Sequence, residues 1–174
     1  MNKPFRYLLC ALGVLFVSVG SAHAQRENIG DWMVMMAEDG SGDTIAGTTI
    51  DDGDKYLAVR CFAENSNCIH VLVTGATCEE GSTYPLLLNG RDGAAHIEGI
   101  CSVNDGTYEY LIKPFDAIRS ALNGSGMVGV ALPMESGAFK AVRFSLKGST
   151  AAIKKGEEWV LRGAGSGRSG SSTF

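Results

Sequence analysis

The chain has 174 residues with 15 basic and 19 acidic side chains, a net charge of −4. That balance argues against nucleic acid as the main partner, because phosphate backbones select a basic surface. The length suits one domain with a real core.

The first segment, MNKPFRYLLCALGVLFVSVGSAHAQ, has the layout of a secretory leader. Lys3 and Arg6 form its basic start, and Tyr7 to Val19 is an apolar run of 13 residues. Ala22-His23-Ala24 is a small-x-small cleavage site before Gln25. The run is shorter than the ~20 residues of a spanning helix. Leu9 before Cys10, with apolar residues continuing after it, does not suit a lipoprotein. Cleavage leaves 150 residues with 13 basic and 19 acidic side chains, a net of −6, and no second apolar run of spanning length. The expected location is the periplasm or the exterior. The expected organisation is a leader at 1–24, one β domain at 25–162 and a flexible Gly/Ser-rich tail at 163–174.

Beyond the leader, apolar residues recur at period two in short runs. Trp32, Val34 and Met36 alternate, as do Leu57, Val59 and Cys61, then Tyr108, Tyr110 and Ile112, then Val128, Val130 and Leu132, then Val142, Phe144 and Leu146. This is the pattern of half-buried strands. Turn sequences such as EDGSGD, DDGD, NGRDG, NDG and ESG separate the runs. The strands are predicted at 31–37, 44–50, 54–61, 68–74, 83–89, 95–101, 106–112, 127–132 and 138–146. Short strands at this spacing predict an all-β fold, an antiparallel β-sandwich or a partly open barrel.

Two short helices interrupt the strands. KPFDAIRSALNG puts Phe115, Ile118 and Leu122 on one face, with Pro114 at the first turn and Asn123-Gly124 as a stop. STAAIKK has Ser149 as a candidate N-cap, Lys154 and Lys155 at its negative end and Gly156 as its stop. Neither is long enough to stand alone, so each must dock on the sheet. The run from Phe144 to Trp159 therefore reads as the last core strand, a glycine pivot, a docking helix and a closing Trp159, a latch on the core. The tail contains a G-x-G-x-x-G at Gly165, Gly167 and Gly170. It lacks the following helix that a dinucleotide site requires.

Cys10 leaves with the leader, and Cys61, Cys68, Cys78 and Cys101 remain. An even count in an exported chain points to two disulfides, with three connectivities open. Cys61–Cys68 and Cys78–Cys101 are favoured, because Cys61 ends one strand and Cys68 begins the next. Zinc is disfavoured by intervals of 6, 9 and 22 residues, and a thioredoxin-type centre by the missing C-x-x-C.

The two ends of the predicted domain, GDWMVMM from Gly30 to Met36 and FSLKGSTAAI from Phe144 to Ile153, carry a resemblance. They resemble the G-D-W-x-V and F-S-L-x-G segments of the invasion-associated locus B family of exported bacterial proteins. Met35 and Met36 stand where members commonly carry a cysteine, and Ser149 where they carry an aromatic. The resemblance implies a periplasmic or envelope all-β domain with no defined catalytic residues.

Sites for chemistry are sparse. Past the leader only His70 and His96 could serve as imidazole bases. His96 and Glu98 share a strand face and read as a surface pair rather than a proton relay or metal site. Asp39 and Asp43, and Asp51, Asp52 and Asp54, cluster in two loops without the spacing of a calcium loop. Met33, Met35 and Met36 could offer sulfur to copper(I), but packing is the simpler reading. No catalytic, cofactor or metal residue is assigned. The expected function is non-catalytic: an envelope domain binding an unidentified envelope protein, host protein or cell-wall partner. One alternative is an inhibitor of a periplasmic or host hydrolase such as lysozyme, for which Ser82-Thr83-Tyr84 is a faint echo of an insertion motif. The other is an enzyme with an unrecognised site.

Overall fold

The computed structural model describes residues 25–166 apart from 92 and 135, with side chains described as far as 163. The leader and residues 167–174 lie outside the described residues. Ten strands form one antiparallel sheet in the order β1-β2-β3-β4-β5-β8-β7-β6-β9-β10. They are β1 (Arg26–Ile29), β2 (Trp32–Met36), β3 (Thr44–Ile50), β4 (Lys55–Cys61), β5 (Cys68–Val73), β6 (Thr83–Gly90), β7 (Gly93–Asn104), β8 (Thr107–Lys113), β9 (Met127–Pro133) and β10 (Phe139–Ser145). The helices are α1 (Phe115–Leu122) and α2 (Ser149–Ser166). The sheet is open and curled, so of the two expected architectures it is the partly open barrel with sandwich-like packing.

Period two decides which face of each strand is wet. Trp32, Val34, Ala46, Leu57, Val59, Leu72, Leu86, Tyr110, Val130 and Phe144 are buried in one continuous core. β1 to β5 form one meander and β6 to β8 a second, and the second docks through β8 on β5. α1 then carries the chain back across two strands, so that β9 can pair with β6. Its Ile118 and Leu122 are fully buried, as the apolar stripe requires. α1 and α2 lie at the same end of the curled sheet. Arg119 of α1 pairs with Glu157 of α2 at 2.6 Å, and Ser149 Oγ donates to Leu122 O at 2.6 Å.

The two outermost strand systems meet through a polar clasp rather than a ladder. Asp31 N donates to Lys147 O at 2.8 Å, and Trp32 Nε1 to Ser145 O at 2.7 Å. Ser145 Oγ donates to Asp31 Oδ2 at 2.7 Å, and Lys147 Nζ lies 3.6 Å from Asp31 Oδ1. The two turns beside the clasp touch backbone to backbone. Gly30 has φ +63° and Gly148 φ +94°, a region that glycine enters without steric cost. A Cβ on Gly148 would lie 1.8 Å from Ile29 O, and one on Gly30 would lie 2.5 Å from Lys147 O.

The structure departs from expectation in two elements. β1 was not foreseen, because RENI is polar and shows no alternation; it is an exposed edge strand held by β2. The second helix is not short. α2 passes through Gly156, contains Trp159 and continues to Ser166, overlapping the start of the expected tail. Gly156 is a contact surface rather than a stop. Its Cα sits so close to β2 and β3 that a Cβ would lie 3.3 Å from Thr44 Oγ1 and 3.6 Å from Val34 Cγ2. Thr44 Oγ1 donates to Gly156 O at 3.0 Å. Packing of this kind outweighs the ~1 kcal/mol that a glycine costs inside a helix. Ser149 is the first residue of α2 rather than the residue before it, and its hydroxyl donates to Leu122 O. The latch reading holds: Ala152, Ile153, Trp159 and Val160 are all buried.

Gly148→Ala forces both a positive φ and a backbone collision at the clasp. It should destabilise the domain by about 3 kcal/mol or more, read as a lower urea midpoint with little change in slope.

Candidate functional site

Each cysteine pair closes as favoured. Cys61 and Cys68 face each other across β4 and β5 with Cα atoms 4.0 Å apart. Cys78 and Cys101 tie the loop after β5 to β7 with Cα atoms 6.0 Å apart.

The histidines are not brought together with carboxylates. His70 is on the core face of β5, paired with Val59 and Ile112, and 1 % exposed. Neither ring nitrogen has a hydrogen-bond partner among the described residues. The Phe115 ring lies 4.3 Å away, centroid to centroid. Burial, assisted by the Arg119 charge, lowers its pKa to about 4. A neutral, walled-in imidazole of this kind is a packing group. His96 and Glu98 are exposed on β7, as expected for a surface pair.

The acidic loops are folded as turns. Asp39 Oδ1 accepts from Ser41 N at 2.9 Å, which lowers the carboxyl's pKa, and Asp43 Oδ1 accepts from Ala63 N at 2.9 Å. Asp51 pairs with Lys55. Among the described residues no three histidine, cysteine or acidic side chains converge. Met33 and Met35 share one face and line a shallow trench of about 200 Å³ on the outer side of the sheet. Met36 packs on the core instead.

A buried ion pair on that outer face was not foreseen. Glu109, 2 % exposed, accepts from Tyr56 OH at 2.8 Å and from Arg60 at 3.0 Å. Burial and the neighbouring carboxylate raise the Tyr56 pKa. The partners come from β4 and β8, which flank β5 on its two sides, so the sequence offered no local signal.

The end of the sheet opposite the helices is shaped differently. It is formed by the β3–β4, β5–β6, β7–β8 and β9–β10 connections. Neither α1 nor α2 covers it; its β3–β4 connection includes a single 3-10 turn at Asp51–Gly53, and it holds an open trough of about 720 Å³ lined by Tyr84, Tyr108, Tyr110, Leu132, Pro133 and Met134. Tyr84 packs edge-on against Tyr110, with centroids 5.7 Å apart and planes at 85°. The Tyr84 hydroxyl accepts from Glu79 N at 2.9 Å, so this residue belongs to the wall and not to an inserting loop. Burial, with a smaller contribution from Tyr84, raises the Tyr110 pKa. The large exposed apolar side chains among the described residues are Val103, Tyr108, Met127, Met134, Phe139 and Leu161. Two of them, Tyr108 and Met134, line the trough. Val103 faces Tyr108 across β7 and β8, and Met134 and Phe139 belong to the β9–β10 hairpin.

Two stability tests follow from the buried groups. The His70 pKa is depressed in the folded state, so protons bind the unfolded chain first. Its contribution is intact above pH ~6.5 and is lost as pH falls towards 4, by up to about 3 kcal/mol. Urea midpoints at several pH values should show that slope in the wild type and a shallower one in His70→Leu. Arg60→Met leaves Glu109 buried without its cation and should lower stability by about 2 kcal/mol or more, measured at neutral pH.

No family model matches this chain, and no curated protein matches it. Among solved structures it is similar to invasion-associated protein B from Bartonella henselae, with a TM-score of 0.55 and 14 % identity. The likeness covers 76 % of this chain and 96 % of that one. It is a likeness of fold, and it is consistent with the family resemblance carried by the two terminal motifs.

Proposed function

We propose that this chain is a non-catalytic, extracytoplasmic binding domain that engages a protein partner through the end that α1 and α2 leave uncovered. The observation that carries the reading is the open tyrosine trough, whose wall includes the exposed Tyr108 and Met134, with the exposed Val103 opposite Tyr108 across β7 and β8. Tyrosine, methionine and phenylalanine are the residues over-represented at protein interfaces. The apolar character of the patch favours a protein over a cell-wall glycan. Two disulfides and a fold shared with an invasion-associated protein suit an oxidising compartment outside the cytoplasm. No described helix is long and apolar enough to cross a membrane. Residues 1–24 supply the export leader in this reading. An enzymatic role draws no support from His70, which is sealed in the core, or from His96, which lies on an exposed strand face.

The test compares retention of the immobilised mature protein by detergent-extracted envelope proteins and by insoluble cell wall. Tyr108→Ser is the probe variant, since Tyr108 is 36 % exposed and its loss leaves the core intact. Wild type should retain an envelope protein that Tyr108→Ser releases. Equal retention by both, or binding only to cell wall, would remove the reading.

A further inference from the structure

The hydrogen bonding of β10 shows which way each of its backbone groups points. Leu146 N bonds Gly126 O at 2.8 Å, and Met134 N bonds Ala138 O at 2.8 Å. Both bonds join β10 and its flanks to the β9 side. In an antiparallel ladder, successive residues alternate between facing the partner strand and facing away from it. The even positions from 138 to 146 therefore bond towards β9. Phe139, Ala141, Arg143, Ser145 and Lys147 turn their amides and carbonyls outward. The clasp supports this assignment, since Ser145 O and Lys147 O accept from Trp32 Nε1 and Asp31 N. The outward groups of Phe139, Ala141 and Arg143 have no partner among the described residues. The same edge is closed at one half and open at the other.

The open half has a chemical character. Lys140 and Arg143 make no ion pair among the described residues. Lys140 and Lys55 both reach Gly75, where a Cβ would lie 3.8 Å from Lys140 Nζ and 3.7 Å from Lys55 Cε. Phe139, 67 % exposed, begins the strand beside Met134. Three outward residues spaced by two present a ladder for one short strand. Uncompensated cations flank it, and an aromatic side chain stands at its start.

We propose that the partner adds an extended acidic segment to the free edge of β10, bonding at Phe139, Ala141 and Arg143, with an apolar side chain set against Phe139 and Met134. The segment's carboxylates face Lys140 and Arg143. This rests on the reading of the end left uncovered by α1 and α2 as a binding surface and names the chemistry of what binds there. Main-chain bonds give such an added strand its affinity, and side-chain pockets and charges give its specificity. Cations on an open edge also discourage self-pairing, which makes a second copy of this chain the poorer occupant.

The probe is a labelled peptide of repeated Thr-Thr-Glu-Glu ending in phenylalanine, which puts carboxylates on both faces of an added strand, titrated with the full mature protein by fluorescence anisotropy. Wild type should bind it saturably, and the same peptide with lysine in place of glutamate should not bind. Ala141→Pro removes one outward amide and no bond to β9, a change that an edge strand tolerates. It should weaken binding by about tenfold or more while melting close to wild type. Should that variant fail to fold, N-methylation of alternate peptide amides makes the same test on wild type and should abolish binding. No saturable binding to wild type, equal binding by folded Ala141→Pro, or equal binding of the lysine peptide would overturn the proposal. So would a wild-type dimer that Ala141→Pro dissociates. Applied to the envelope retention assay, an Ala141→Pro protein that keeps a partner lost by Tyr108→Ser sinks the strand proposal alone. A partner kept by both variants sinks the binding-surface reading itself.

Discussion

The fold depends on the contact between Asp31 and the Ser145–Lys147 segment. A ten-stranded sheet that curls without closing has two raw ends, and its inner face stays dry only if those ends are held together. Backbone and side-chain hydrogen bonds do this here, reaching across 113 and 114 residues of sequence. The clasp works because Gly30 and Gly148 let two turns approach more closely than any side chain would permit. Trp32 sits at the centre, fully buried, with its one polar atom satisfied by Ser145 O. The two stretches that carry the family resemblance are thus one structural unit. Their residue types follow from how the domain is shut and need no ligand to explain them.

Shutting the domain in this way separates its two ends. At one end, α1 and α2 cover the core, and the polar groups there are consumed by Arg119–Glu157, Ser149 to Leu122 and Thr44 to Gly156. Neither α-helix reaches the other end, and the aromatic rings of β6 and β8 line its trough. The Cys78–Cys101 bridge ties one of those loops to β7, beside the trough, so the tyrosine wall stands on a covalently anchored segment. The asymmetry, rather than any single reactive residue, is what directs attention to the end that α1 and α2 leave uncovered.

Much of this was legible in the chain itself. Alternation in YLAVRC, YEYLI and AVRFSL correctly assigned faces as well as strands, because each strand is half-buried and a slip of one residue would reverse every side chain. The cysteine pairing was legible because Cys61 and Cys68 sit at facing ends of two neighbouring strands. RENI escaped because an exposed edge strand needs no apolar face. The length of α2 escaped because Gly156 has two opposite meanings, a stop or a place for two elements to touch, and only the neighbouring β2 and β3 decide between them. The site was the least legible part. Tyr84, Tyr108 and Tyr110 come together through the β6-β7-β8 order, and Glu109 reaches Arg60 because β5 pairs with both of their strands. His70 in CIHVLV gave no sign of its burial, since apolar residues flank it on both faces.

The long reach of the clasp also sets when the domain can form. Trp32 and Asp31 emerge early in synthesis, yet their partners at Ser145 and Lys147 come after nine of the ten strands. Contacts at such separation carry a large loop-closure cost and form late. A nascent chain therefore holds most of its sheet unfinished, with Val34, Leu57 and Leu72 exposed, until the last strand arrives. Maturation is closer to the fastening of a belt than to the stacking of independent hairpins, and loss of the buckle leaves the whole length undone.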